Sequence, residues 1–413
     1  MAEWATLPRD ILVLIAEHID FFEDFINFCV VCKSWQSVTS ILGKSRILPP
    51  RFPWVMLTDI AEKNYPKVTG DVYPADMLVE EVKKNEYIEG MHNRRFFSIS
   101  TSKTYEFELP EATRRKCLGV CYGWLLTIGY DLQINLLHPF TRLQIGMPSL
   151  LSFKSFENLD DYDEDFNPQD VFDFFVKKAV MSSNPRNTSN EDCIVLAIYG
   201  ECRVLAFARP GDKVWTDINV PSNVYTDVVY YKGKFYAVDC HGVVVVCDIN
   251  DGNGPIATPI ARIPDGFHVL NYKYLVESSG FLLLVIRCCR GVYFGDKEDV
   301  DRPYHYTTGF SILRLEECYG DRSSHEYPYK MTQVDSLEDN TLFVGYNASI
   351  SLPSSKCVKA NCIYFSDDNA EPYSTQPYGG GHDTGIFEVE SGSITLHYAS
   401  KFMSHLTPPI WFI

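Results

Sequence analysis

The first part of the chain carries apolar side chains at helical spacing. Between residues 7 and 19 the apolar positions lie one, three or four apart, which places them on one face of an α-helix. Pro8 suits the first helical turn, where a missing N–H leaves no hydrogen bond unmade. A second cluster with helical spacing covers residues 25–35, and Gly43 favours a stop after it. The pattern predicts a small all-α module over residues 1–45.

Beyond this module the pattern changes to short apolar runs separated by turn residues. Residues 96–100 and 104–109 alternate as the two strands of a β-hairpin do, and similar pairs recur at 123–137, 233–248 and 361–389. Degenerate units of roughly 40–50 residues with four strands each are typical of propeller blades. We therefore predict a large all-β domain, a β-propeller of about six to eight blades. A pair of β-sandwiches is the structural alternative.

The predicted organisation has three parts and one insertion. Residues 1–45 form the helical module, residues 46–95 a linker and the start of the β domain, and residues 96–413 the propeller. Residues 157–173 are dense in Asp and Glu, and such charge density favours a solvated loop. This stretch lacks the central Gly and terminal Glu of an EF-hand, so calcium binding is not predicted.

Composition narrows the class of protein further. The 413 residues are 46% hydrophobic and 22% charged, as in a folded protein, and the 14% of aromatic residues favours strands. A formal net charge of −17 disfavours binding to nucleic acid or to membrane surfaces. Neither a secretory signal nor an apolar run of membrane-spanning length is visible. We expect a protein of the nucleus and/or cytoplasm whose 13 cysteines are free thiols.

Motifs for catalysis and for cofactors are weak. Cys29 and Cys32 have metal-ligand spacing without a second pair, and Gly43-Lys44-Ser45 lacks the first glycine of a P-loop. The glycine-rich residues 379–385 are predicted to be a loop between strands. No cofactor, metal or catalytic residue is predicted. Three histidines beside Asp, Gly or Pro could still meet in a propeller channel: His138, His241 and His382.

The N-terminal module resembles the F-box. That motif has a Leu-Pro dipeptide, an acidic residue, an aliphatic helix and a Phe-x-x-Val-Cys-x-x-Trp segment, which stand here as residues 7–12 and 28–35. Cys29 and Gln36 occupy positions where Arg is frequent. A module this small cannot bury its apolar face alone, so we expect it to enter a partner's groove, the alternative being that it packs on the propeller. The predicted adaptor-binding residues are Leu7, Pro8, Ile11, Leu12, Ile15, Val31, Cys32 and Trp35.

The rest of the chain is similar to plant F-box proteins of the KIB type, which carry a kelch-like propeller. The resemblance rests on residues 51–57, 123–125, 138–141, 209–215, 227–233, 361–365 and 408–411. It implies a non-catalytic substrate receptor of an SCF ubiquitin ligase. The F-box would bind a Skp-type adaptor, and through it a cullin, while the propeller would hold an unidentified protein target. A propeller scaffold with a degenerate F-box and, less favoured, a propeller enzyme are the other two hypotheses.

Overall fold

The computed structural model describes residues 4–19, 24, 28, 31–35, 37–38, 54–57, 93–113, 115–129, 131–156, 175–185, 192–222, 224–267, 271–291, 305–318, 326–355, 358–368, 383–395 and 409–412. Several predictions concern segments outside this set. They are the acidic insertion at 157–173, most of the linker at 46–95, the stop at Gly43, residues 25–27, 29 and 30 of the second helical cluster, and the glycine-rich residues 379–382.

The described strands of the β domain form six sheets, five of them wholly antiparallel, which are the six blades of a propeller. This number lies within the predicted range, and six separate blades rule out the sandwich alternative. Blade 1 contains β1 (Trp54–Leu57), β2 (Asn93–Ser98), β3 (Lys103–Glu108) and β25 (Ile410–Phe412). Blade 2 contains β4 (Arg115–Cys121), β5 (Trp124–Gly129), β6 (Ile134–His138) and β7 (Leu143–Gly146). Blade 3 contains β8 (Val176–Met181), β9 (Val195–Tyr199), β10 (Val204–Ala208) and β11 (Thr216–Asp217).

The second half of the ring follows the same plan with one addition. Blade 4 contains β12 (Tyr225–Tyr231), β13 (Lys234–Asp239), β14 (Val243–Asp248) and β15 (Ile256–Arg262). Blade 5 contains β16 (Tyr272–Ser278), β17 (Phe281–Gly291), β18 (His305–Glu317) and β19 (Tyr329–Gln333). Blade 6 contains β20 (Asn340–Val344), β21 (Ile350–Pro353), β22 (Cys362–Phe365), β23 (Gly385–Glu388) and β24 (Ile394–Thr395). This blade has five strands, its β20 runs parallel to β22, and β21 takes the inner edge.

The two ends of the propeller sequence close the ring. The C-terminal strand β25 pairs with β1 in antiparallel register, Trp54 opposite Phe412 and Met56 opposite Ile410. Trp411 is fully buried, and its indole Nε1 donates to the carbonyl of Val344 in blade 6 at 2.9 Å. The last strand thus completes blade 1 and ties it to blade 6, which leaves no open edge between the first and last blades.

The inner strands define the two faces of the propeller. Strands β25, β4, β8, β12, β16 and β21 contact one another around the ring and surround its axis. The first strands of blades 2, 4 and 5 end in two-residue turns, Tyr122-Gly123, Lys232-Gly233 and Ser279-Gly280, in which both residues have positive φ. That geometry is the type I′ hairpin turn, which suits strand twist and favours glycine at its second position. We call the side with these turns the turn face and the opposite side the distal face.

Apolar packing between neighbouring blades forms the core. Each interface between blades is an apolar cluster of alternate strand residues, such as Val228, Phe235 and Val245 between blades 3 and 4. Aromatic rings fill the wider spaces: Phe153 stacks on Trp215 with centroids 4.6 Å apart. This packing explains the aromatic-rich composition, since ring side chains bury large areas on pleated surfaces.

The N-terminal region contains α1 (Arg9–Glu17), a short 3₁₀ turn at Trp4–Thr6 and further helical residues at 24, 28, 33–35 and 37–38. Further 3₁₀ turns lie at Pro110–Ala112, Leu150–Ser152 and Lys154–Phe156. Within the described residues no helix has the length and apolarity that crossing a membrane requires.

Candidate functional site

Helix α1 begins at Arg9, directly after the Leu-Pro dipeptide, so Pro8 is the N-cap residue and does not lie in the first turn as predicted. Pro8 precedes the first helical residue with extended backbone angles, and its carbonyl accepts from the N–H groups of Ile11 and Leu12 at 3.1 Å. Asp10 lies in the first turn, where a carboxylate stabilises the helix dipole. At the other end the ring of His18 hydrogen-bonds to the carbonyl of Leu14 at 2.8 Å. Local sequence therefore determines both ends of this helix.

The helix is apolar on two different faces. Leu12 and Ala16, four residues apart, have 0% and 1% of their surface exposed. Ile11 and Leu14, three residues apart, have 42% and 50% exposed. A stable surface helix usually shows a single apolar stripe facing the core. The second stripe on α1 is therefore an apolar surface that the described part of the chain leaves open to solvent.

The second half of the module packs behind this helix. The rings of Phe28 and Trp35 contact with centroids 4.7 Å apart, and the indole Nε1 of Trp35 donates to the carbonyl of Trp4 at 2.9 Å. Phe28 is buried, whereas Val31 is 53% exposed and Cys32 is half-buried. The Phe-x-x-Val-Cys-x-x-Trp segment thus supplies both core and surface.

The predicted adaptor-binding residues divide between these two environments. Leu12 is buried, Leu7, Ile15 and Trp35 are half-buried, and all four belong to one apolar cluster. Pro8, Ile11 and Val31 are exposed, as Cys32 is in part. Two further exposed residues of the module were missed, Leu14 and Trp4, of which Trp4 is 62% exposed. The helical spacing of Leu14 from Ile11 and Leu7 could have placed Leu14 on the same helix face. The spacing alone does not tell whether that face is buried or exposed.

The buried stripe is covered by the chain itself. Leu12, Ala16, Phe28 and Val38 belong to the same apolar cluster as Trp54 and other residues of blade 1. The alternative that the helix packs on the propeller therefore holds for this inner stripe. The outer stripe, with Ile11 and Leu14, is what remains for a partner.

A network of charged groups occupies the distal face of blades 5 and 6. The guanidinium of Arg287, which is completely buried, donates to Asp368 at 3.1 Å and to Asp383 at 2.9 Å. Its Nε donates to the hydroxyl of Thr307 at 2.6 Å. Burial raises the pKa of Tyr274 well above its ordinary value, so the hydroxyl stays protonated and donates to Asp368 at 2.7 Å. The network is saturated with partners and joins the two ends of the 369–382 connection.

Of the three histidines that could have met in the channel, the two that the structure describes lie in different blades. His138 is buried, accepts from the backbone N–H of Thr141 at 3.3 Å and packs edge-on against Trp124, whereas His241 is exposed in another blade. His382 lies outside the described residues. Burial raises the pKa of Cys117 to about 12, which keeps that thiol protonated. Within the described ranges no cluster of His, Cys, Asp or Glu is arranged to hold a metal ion.

A helical N-terminal module with an open apolar stripe, followed by a six-bladed propeller, defines the F-box propeller class of proteins. An F-box domain model matches residues 4–44, and a KIB1-4 beta-propeller model matches residues 96–388. The chain belongs to this family of F-box proteins with a KIB-type propeller, which confirms the resemblance seen in its motifs.

Relatives in Arabidopsis thaliana align with most or all of this chain. F-box protein SKIP23 is 25% identical, over 100% of this chain and 96% of its own length. F-box protein At2g17036 is 24% identical, over 100% of this chain and 95% of its own length. F-box protein KIB3 is 22% identical, over 87% of this chain and 70% of its own length.

Proposed function

We propose that this protein is a substrate receptor of an SCF-type ubiquitin ligase. In this proposal the outer stripe of α1, with Ile11 and Leu14, docks together with the preceding Leu7 and Pro8 and with Val31 into a groove of a Skp-type adaptor, which in turn binds a cullin. The propeller holds the protein to be ubiquitinated. The chain needs no catalytic residue of its own, because other subunits of such a ligase transfer the ubiquitin. We expect it to act in the nucleus and/or cytoplasm.

One observation carries the proposal: α1 exposes apolar side chains within a segment that matches the F-box. Ile11 and Leu14 are among the most exposed large apolar residues of the described chain. A helix that presents apolar residues at i, i+3 and i+4 is suited to lie in a partner's hydrophobic groove. Apolar anchors buried in such interfaces commonly lose more than about 1 kcal/mol of binding free energy on truncation.

The test is adaptor binding by full-length variants. Changing Leu7 and Pro8 together to Ala should abolish capture by the Skp-type adaptor, while far-UV circular dichroism shows an intact β domain. The matched control is Leu143→Ala with Val214→Ala, two propeller residues that are 50% and 56% exposed. Unchanged capture by the Leu7 and Pro8 variant would count against the proposal. Loss of capture by the control as well would show that the assay reports folding rather than docking.

The scaffold hypothesis makes the opposite prediction for the same assay. It gains some support from the buried stripe, since Leu12 and Ala16 already pack within the chain's own apolar cluster. If the wild-type protein fails to bind any Skp-type adaptor, the F-box region serves as packing, and the propeller acts as an interaction scaffold without a ligase.

A further inference from the structure

Strand β7 is the outer edge of blade 2. It pairs with β6 in antiparallel register, Leu143 opposite His138 and Ile145 opposite Leu136, and no described strand follows it in the sheet. An outer strand carries a row of backbone groups that the sheet leaves unpaired. Soluble proteins commonly protect such edges from other chains with charged residues, with proline or by keeping the strand very short.

Five of the six described outer strands carry this protection. β3 contains Lys103 and two glutamates, β15 contains Pro259, and β19 contains Lys330. β11 and β24 are each two residues long. β7 has the sequence Leu-Gln-Ile-Gly, with neither a charged residue nor a proline in its four positions. The edge of blade 2 is therefore the one that this chain leaves unprotected among the described outer strands.

The outward backbone groups of β7 belong to Gln144 and Gly146. At the end of the strand, the N–H of Met147 donates inward to the carbonyl of Ile134 at 2.9 Å. Residues that bond inward and outward alternate along an antiparallel strand, so the odd-numbered residues of β7 face β6 and the even-numbered ones face away. Among the described residues no hydrogen bond reaches the outward N–H and C=O groups of Gln144 and Gly146.

This edge is also open to solvent and partly apolar. Leu143 is 50% exposed, Gln144 and Gly146 are exposed, and a Cβ atom built on Gly146 would meet no atom within 4 Å. Leu143 and Ile145 lie on the same side of the strand, because side chains alternate along it. Ile145 packs against the apolar cluster of blades 2 and 3. A strand added here would meet free backbone groups and an exposed leucine beside an existing core.

We propose that β7 binds an extended segment of a protein target, which adds to blade 2 as a fifth strand. The backbone groups of Gln144 and Gly146 hold the segment by main-chain hydrogen bonds, and Leu143 contacts its alternate side chains. The absence of charge along β7 suits an uncharged segment with apolar or β-branched residues at every second position. The inference rests on the proposed function only in taking this segment from a target of the ligase.

A second copy of this chain suits the edge less well than a target segment does. Two paired strands of four residues bury far less than the roughly 1,200–2,000 Å² of a stable protein interface. Each copy also carries a formal net charge of −17, so two copies repel each other. A target segment has neither restriction, because it can continue beyond the edge and can be neutral or basic.

The experiment is titration of the full-length protein with a panel of labelled eight-residue peptides, followed by fluorescence anisotropy. The peptides have blocked ends, Val, Ile or Thr at alternate positions, and Ser or Gln between them. Saturable binding by members of the panel is expected. Gln144→Pro removes an outward N–H while the inward ladder stays intact, and should weaken binding about tenfold or more. The matched control, Gln144→Ala, keeps the N–H and should bind as wild type does.

Two further measurements separate strand addition from other kinds of binding. With wild-type protein, peptides methylated on every second backbone nitrogen should fall into two sets, one that loses binding and one that keeps it, since only alternate N–H groups face β7. Hydrogen exchange in residues 143–147 should slow when peptide is bound. Absence of saturable binding, equal affinities of wild type and Gln144→Pro, equal effects of the two methylation patterns, or unchanged exchange would each overturn the proposal.

The same variants distinguish this inference from its alternatives. Sedimentation velocity should show a monomer, and a dimer that Gln144→Pro dissolves would assign the edge to a second copy and overturn the target assignment. Gln144→Pro should capture the Skp-type adaptor as wild type does, because Ile145 packs in the cluster of blades 2 and 3 and α1 in that of blades 1 and 2. Failure of peptide binding with adaptor capture intact would overturn this inference alone, whereas failure of wild-type adaptor capture would overturn the ligase proposal.

Discussion

The N-terminal module and the propeller treat apolar surface in opposite ways. In the propeller the largest apolar side chains, such as Trp54, Trp124 and Trp411, are almost wholly buried between blades, and the exposed ones are scattered. In the module a single nine-residue helix buries one apolar stripe and exposes another. The difference indicates which part buries its apolar surface without a partner. The propeller closes on itself, whereas the module leaves apolar surface that a partner can cover.

The largest expected effect is on ring closure. Trp411→Ala removes a fully buried indole and its hydrogen bond to Val344, and should lower the free energy of unfolding by about 4–5 kcal/mol. Trp4→Ala, at a tryptophan that is 62% exposed, should change it by less than about 0.5 kcal/mol. Urea unfolding followed by far-UV circular dichroism measures both. Equal losses would mean that the C-terminal strand does not hold the ring together.

The next effect tests the buried charge network. Arg287→Met leaves Asp368 and Asp383 buried without their cation and should lower the free energy of unfolding by about 3 kcal/mol. The matched change, Arg142→Met, breaks an ion pair with Glu111 in which Arg142 is 48% exposed, and should have a much smaller effect because solvent screens the pair. Chemical denaturation of both variants gives the comparison. A small loss for Arg287→Met would show that the network adds little to blade packing.

The two stripes of α1 should separate stability from binding. Leu12→Ala empties a buried position and should lower the free energy of unfolding of the module by about 2–3 kcal/mol. Leu14→Ala should leave stability within about 0.5 kcal/mol and weaken adaptor binding instead. Hydrogen exchange of α1 and adaptor titration measure the two outcomes. The opposite assignment of effects would reverse the inner and outer faces proposed for the helix.

The smallest effect concerns the charge of Lys177, a partly buried residue of β8. Burial lowers the pKa of Lys177 in the folded protein below the ordinary 10.5. As the pH rises, the folded state therefore loses this proton before the unfolded state does. At neutral pH both states are protonated, so the folded state bears the full cost of burying the charge. At pH 7 the Lys177→Gln variant should therefore have a free energy of unfolding about 1 kcal/mol higher than that of wild type. The advantage should shrink as pH rises towards 10.5. Denaturation at several alkaline pH values checks this, and an advantage that is independent of pH would contradict it.

The sequence predicted repeated local features better than distant pairings. Alternation marked the hairpin at 96–109, Gly-bearing turns marked the one at 233–248, and the Leu-Pro dipeptide marked the start of α1, because all three features depend on neighbouring residues. The partnership of Arg287 with Asp368 and Asp383 joins residues 81 and 96 positions apart, and no local pattern encodes it. The bulge in β8, where the pairing with β9 shifts register between Val176 and Lys178, could not be predicted either, since it depends on the register of the neighbouring strand.

The candidate site shows the same division. The apolar spacing between residues 7 and 19 predicted the helix, and the motif within it indicated a docking role. It did not separate Leu12, which is buried, from Leu14, which is exposed, because both positions fit helical periodicity. Only the packing of α1 against the rest of the chain decides which stripe remains open. The exposure of each stripe is therefore a property of the tertiary structure and not of the local sequence.

The most direct test of this account is the affinity of the full-length protein for a purified Skp-type adaptor, measured for wild type and for Ile11→Asp with Leu14→Asp. The variant places two charges on the outer stripe and leaves the buried Leu12 and Ala16 in place. The account predicts measurable binding by wild type, a loss of at least about a hundredfold in the variant, and an unchanged unfolding curve for the propeller. Equal affinity of the two proteins would contradict the assignment of this stripe as the adaptor-binding surface.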